Sequence, residues 1–194
     1  MRKSIMLLLM SLISAVSYGG DPKVSALAVK AEEIGPDWTG PTGIVIDDID
    51  VPPTIDKETT EIIAGLTKQM KPLGAKACAD FTYRKKSNPM QQVTVRVFLF
   101  NTEEQCKEWM KTKYEFSGWE KKYRRVQEMD YSGFDSLEMK KRILSAGKLW
   151  ITSGTIGADD DHLTILGLFL DRIKKQTTGA EPPAGGDGKP APQP

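Results

Sequence analysis

Two runs of strict alternation dominate the pattern of apolar and polar positions. Ala77, Ala79, Phe81 and Tyr83 alternate with Cys78, Asp80, Thr82 and Arg84, and Val93, Val95, Val97 and Leu99 alternate with Thr94, Arg96, Phe98 and Phe100. Successive side chains of a strand point to opposite faces, so each run predicts a β-strand. The polar stretch Lys85 to Pro89 between them predicts an antiparallel hairpin. Phe98 and Phe100 fall on the second face, which implies that both faces of the hairpin are covered. Thr102-Glu103-Glu104-Gln105 follows directly and has the order of a capping box, opening a helix with Cys106, Trp109, Met110 and Tyr114 on one side.

Before this central stretch, Val24, Leu27, Ala28 and Ala31 have helical spacing, and Ile34-Gly35-Pro36 supplies a stop. Asp37 to Pro41 reads as a turn-rich link into a brief strand, Ile44 to Ile46, closed by Asp47, Asp48 and Asp50. Asp56 can cap a helix whose stripe is Ile62, Ile63, Leu66 and Met70, and Pro72 and Gly74 end it. After the center, Tyr123 to Glu128 predicts a basic strand. Leu137, Met139 and Ile143 alternate through another strand, and Leu149 to Ile156 completes a hairpin across Ala146-Gly147. Asp159 to Asp161 precede a closing helix whose apolar residues, Leu163 to Ile173, cover a wide arc and predict burial. The connections are too short for right-handed crossovers between every strand. An α+β single domain is expected, with a mainly antiparallel β-sheet and helices packed on it.

The two ends differ from this pattern. Arg2 and Lys3, an apolar run from Ile5 to Val16, and small residues at Ser17, Gly19 and Gly20 have the order of a secretory signal peptide. From Thr177 to Pro194 the chain is rich in Gly, Pro and Ala, a composition that buries too little apolar surface to offset its ordering entropy. The expected division is therefore a signal peptide at 1–19, an α+β domain at 20–176 and a disordered tail at 177–194. At 194 residues the chain has room for one domain with a substantial core. Its 27 basic and 26 acidic residues nearly balance, giving no global field for nucleic acid or for a membrane. The expected protein is exported, periplasmic or extracellular, with no stable membrane insertion once the signal is cleaved.

Gly35-Pro36-Asp37-Trp38-Thr39, Val93-Thr94-Val95-Arg96-Val97-Phe98, Asn101-Thr102-Glu103-Glu104-Gln105 before a Trp-bearing helix, and Gly147-Lys148-Leu149-Trp150-Ile151-Thr152 occur in that order. Their succession resembles small exported bacterial domains of unknown function, whose layout is similar to the sandwiches of the photosystem PsbP and Mog1 type. The resemblance implies a fold and no activity.

No stretch carries a specific catalytic, metal or cofactor signature, and no cofactor is expected. Three groups of residues remain to be weighed. Cys78 and Cys106 are the two cysteines of a chain with an export signal. They either form a disulfide clamping the Trp-bearing helix to the face of Phe98 and Phe100, or pack as two buried free thiols on opposite faces. Trp119 to Arg125 is the most basic segment, with Lys140, Lys141 and Arg142 beside it if their strands pair. Arg124, Arg125, Lys140 and Arg142 are thus candidates for an anionic partner, against an ordinary solvated sheet edge. Asp159, Asp161 and His162 are a weak metal candidate. N-capping explains the aspartates as well and leaves His162 a surface residue of the first helical turn.

Two function classes follow. One is an exported non-enzymatic module that binds an unknown protein or envelope component, and not nucleic acid. The other is a hydrolase of unknown type using Asp and Glu, which would show as a pocket lined by two carboxylates with perturbed pKa values.

Overall fold

The structure is a computed structural model, described here for residues 21–53, 56–114, 121–128, 131–156 and 160–178. The expected signal peptide and most of the expected tail lie outside these residues, as does Trp119. The alternating runs become the two longest strands, β3 (Ala75–Lys85) and β4 (Gln92–Phe100), paired antiparallel with Phe81 opposite Val95 and Cys78 opposite Phe98. Around them lie β1 (Trp38–Thr42), β2 (Val45–Ile46), β5 (Tyr123–Glu128), β6 (Tyr131–Ser136), β7 (Lys141–Ala146) and β8 (Leu149–Ile156). The sheet runs β1-β3-β4-β8-β7-β6-β5, with β2 also on β3, and every pairing is antiparallel. The helices are α1 (Ala31–Ile34), α2 (Lys57–Met70), α3 (Glu103–Tyr114) and α4 (Asp161–Thr178). The chain is an α+β domain, as its pattern implies.

Helices cover both sheet faces, because both faces of β3 and β4 carry apolar side chains. On one face Ala77, Ala79, Phe81, Tyr83, Val93, Val95, Val97 and Leu99 pack under Ile165, Leu166, Phe169, Leu170 and Ile173 of α4, joined by Val24, Leu27 and Val29. On the other, Cys78, Phe98, Phe100, Ile143 and Trp150 pack under Ile63 and Met70 of α2 and Cys106 and Met110 of α3. Phe98 stacks on Trp150 at 5.0 Å between ring centers, and Trp109 of α3 meets both edge-on. The caps form as their residues predict. The Gln105 amide N–H donates to the Thr102 hydroxyl at 3.2 Å while the Gln105 side chain accepts from the Thr102 N–H, and Asp56 accepts from the Thr59 N–H at 2.9 Å.

Several expectations change. The first helical stretch divides into a 3-10 turn at Val24–Leu27 and the single-turn α1, so Leu27 and Val29 both reach the core. The link at 37–41 is largely strand, with Trp38 opposite Lys85 at the sheet edge. Leu137 and Met139 are not strand residues. The Ser136 hydroxyl accepts from the backbone N–H groups of Glu138 and Met139, at 3.3 and 3.1 Å, and closes a turn between β6 and β7. Helix α4 runs to Thr178, past the expected start of the tail, and Thr177 is buried.

The cysteines are two unbonded buried thiols, so the disulfide is not formed. They do face the same layer, but Cys106 reaches it from helix α3 and Cys78 from strand β3. The Cys106 thiol donates to the Leu149 carbonyl at 3.4 Å, which seats it over β8, whereas Cys78 stands on β3. β4 runs between those strands, so the cysteines lie about two strand spacings, roughly 10 Å, apart across the sheet, beyond the reach of a disulfide. Burial pushes Cys78 up to about 11 and Cys106 up to about 12, so neither is a thiolate at neutral pH.

Candidate functional site

The antiparallel order brings the ends of five strands to one edge of the molecule. Tyr123 of β5 pairs with Ser136 of β6, Lys141 of β7 with Gly154 of β8, and Gln92 of β4 with Ile156 of β8. The start of α4 lies there too, because the Ser153 hydroxyl donates to the His162 carbonyl at 2.8 Å. Between the β6–β7 turn, the start of β5 and the start of α4 is a groove of about 430 Å³, lined by Arg124, Asp135, Lys140, Arg142, Asp160 and His162 among others.

Arg142 organizes its charges. Its Nε donates to Asp135 at 2.7 Å, its Nη2 to the other Asp135 oxygen at 3.0 Å, and its Nη1 to Glu128 at 2.6 Å. Arg124 adds a bond to Asp135 at 3.1 Å. The strand register explains this, since Asp135 is opposite Arg124 on β5 and Arg142 on β7, and all three point to one face. Burial by itself would raise the Asp135 carboxyl, but hydrogen bonds from Arg142 and Arg124 outweigh it and hold the group below its ordinary range. The bond to Asp135 and, after the opposing effect of burial, that to Glu128 hold the Arg142 guanidinium charged.

Three of the four basic candidates thus meet in the groove: Arg124, Arg142, and Lys140, whose Nζ is 3.6 Å from Asp160. Arg125 does not. It alternates to the opposite face, with its guanidinium 5.5 Å from the Phe134 ring center. There it borders a second hollow of about 600 Å³ beneath α3, where Lys107 is paired with Glu103 at 2.6 Å.

His162 lines the groove, as the basic residues do, but it is 5 % exposed and not a surface residue. The α4 stripe turns it inward beside Ser153. Its Nδ1 is sealed from solvent and has no hydrogen-bond partner among the described residues. Asp161 turns away to Lys85, 2.7 Å distant, and Asp159 lies outside the described residues. Among the described residues no three His, Cys, Asp or Glu side chains converge on a possible metal position. Asp135, which holds Arg142, lies on β6, a strand the apolar pattern does not show, whereas Glu128 lies on the expected strand at 123–128 and only the sheet order brings it to Arg142 two strands away.

Burial lowers the His162 ring from its ordinary value of 6.5, with the Arg142 and Lys140 charges in the same direction and Asp160 and Asp135 opposing. Below about pH 6.5 the unfolded chain therefore takes up a proton that the folded one resists. Stability is full above that pH and falls as pH drops toward the folded value. Urea midpoints measured between about pH 7.5 and 5 should fall more steeply for the native protein than for His162→Gln. Parallel profiles would show that the ring titrates as if in water.

The fold and groove define a three-layer α+β domain with a charged, open cleft at one sheet end. No protein-family model matches the chain, and no curated protein matches it. Among solved structures, the crystal structure of the extracellular domain of PknH from Mycobacterium tuberculosis is similar at a TM-score of 0.45 and 13% identity, over 78% of this chain and 94% of that one. At that level of similarity nothing is carried over from it. Among the described residues no helix is long and apolar enough to cross a membrane.

Proposed function

We propose that the protein is an exported, non-enzymatic binding or envelope-accessory domain that engages its partner at the groove beside Arg142. The observation that carries this is the state of Asp135. A hydrolase acid needs a carboxyl raised toward neutral pH, whereas Asp135 is bound by two arginines and held ionized. Every other described carboxyl that departs from its ordinary value, such as Asp21, Glu33 and Asp37, is likewise lowered. Fixed charge of this kind orients a polar partner and does not transfer protons. The groove is also open to solvent and bounded by a turn, a setting suited to a surface contact.

Arg124 stands at the rim and is 70% exposed, so it can be changed without disturbing the core. Envelope material passed over the immobilized protein should leave a specific component on the native form and lose it on Arg124→Glu. Equal retention by both, or retention by neither, would overturn binding at this groove.

A further inference from the structure

We propose that the sheet end bearing the groove docks on an anionic lipid surface, its apolar loop tips entering the headgroup layer while the lysines between them meet phosphate. This rests on the binding function above and names the class of partner.

Seven large apolar side chains are strongly exposed among the described residues, and four of them gather at this one end: Met90 at 79%, Ile156 at 60%, and Leu137 and Met139 at 56% each. The register explains why they converge. Met90 lies in the β3–β4 connection next to Gln92, which pairs with Ile156. The Thr155 N–H donates to the Lys140 carbonyl at 3.0 Å, which sets Ile156 beside Met139. From β4 to β6 is three strand spacings, so the row of tips is about 15 Å wide.

Lysines are interleaved with these tips. The Leu137 N–H donates to the Lys122 carbonyl at 2.7 Å, placing Lys121 and Lys122 next to Leu137, and Lys86 precedes Met90 in its loop. All three are exposed and none forms a salt bridge among the described residues; Lys86 donates to the Pro36 carbonyl at 2.7 Å and lies within the field of Asp37. Of the described acids at this end, Asp161 is paired with Lys85 and Asp160 with Lys140, and Asp37 keeps its charge while accepting from the Ser87 hydroxyl and N–H. The exposed Glu138 between Leu137 and Met139 has no salt bridge among the described residues, so the three lysines outnumber the two unanswered acids. The remaining field favors an anionic surface. The tips stand on three segments, the β3–β4 connection, the β6–β7 turn and the end of β8. A rigid protein surface would have to fill the gaps between them, whereas a fluid headgroup layer closes around each. Apolar side chains flanked by lysines are the arrangement that binds peripherally without a spanning helix.

The test is co-sedimentation of the full chain with vesicles of phosphatidylglycerol in phosphatidylcholine, and with phosphatidylcholine alone. The apolar stretch at 5–16 is common to every variant, so differences between variants read the sheet end. Binding should require phosphatidylglycerol. It should weaken about tenfold in Leu137→Ser/Met139→Ser and by a similar factor in Lys121→Glu/Lys122→Glu. Ile62→Ser/Leu73→Ser, whose exposed residues lie at the other helical layer, should bind as the native form does. Circular dichroism should show all three folded. Equal sedimentation of all variants, or no dependence on phosphatidylglycerol, would overturn lipid docking. If envelope capture still depends on Arg124 in that case, binding at the groove stands and only the lipid surface falls.

Discussion

Replacing Arg142 with alanine should lower the unfolding free energy by about 2–4 kcal/mol, a large share of the stability of an ordinary domain. The side chains involved are mostly buried: Arg142 is 18% exposed, Asp135 16% and Glu128 28%. Removing the guanidinium leaves Glu128 without this partner and Asp135 with only the exposed Arg124, both with little access to water, and that desolvation cost exceeds the value of the lost bonds. The remaining exposure brings the expectation below that for a fully buried pair. Adding Asp135→Asn and Glu128→Gln to Arg142→Ala should recover much of the loss, since the stranded charges are then gone. Urea unfolding of the single and triple variants checks both statements. A cost below about 1 kcal/mol for Arg142→Ala would mark the network as a surface one.

Phe169→Ala should cost about 3–5 kcal/mol through the cavity it leaves between α4 and the sheet. Phe169 has no exposed surface, and its ring lies 5.2 Å from Phe81 and 6.3 Å edge-on from Tyr83. Little can move in to fill the space. The strand beneath is fixed by its ladder, and the Tyr83 hydroxyl is tied to the Val29 carbonyl at 2.9 Å. The expected result is a fall in the urea midpoint with an unchanged slope. A loss near 1 kcal/mol would mean that α4 settles onto the sheet when the ring is removed.

Where the chain repeats its apolar positions strictly, the structure follows. The β3–β4 hairpin, the two caps at Asp56 and Thr102 and the wide arc of α4 are local patterns, each with its own cause in backbone geometry or hydrogen bonding. The misreadings cluster where a turn depends on one side chain. Leu137 and Met139 alternate as strand residues would, yet the Ser136 hydroxyl captures the backbone that a longer strand needs. β6 was hidden by the same turn, and with it Asp135. β1 was hidden by Gly40 and Pro41, which signal a turn by composition but lie on a sheet edge, where proline is tolerated.

The candidate residues divide in the same way. Arg124 and Arg125 are adjacent in sequence, and alternation alone sends them to opposite faces. Which face receives Asp135 depends on a strand that only pairing reveals. The cysteines illustrate the opposite limit, since their shared layer follows from alternation and helical periodicity, whereas their separation follows from β8 inserting next to β4.

By itself, the sequence determined the α+β class, the doubly covered hairpin and the burial of α4, because these depend on residues close together in the chain. Tertiary structure decided that Arg124, Lys140, Arg142 and His162 share one groove and that four exposed apolar tips share one end. Those meetings are set by the order of strands in the sheet, which arises from long-range pairing that no local period encodes.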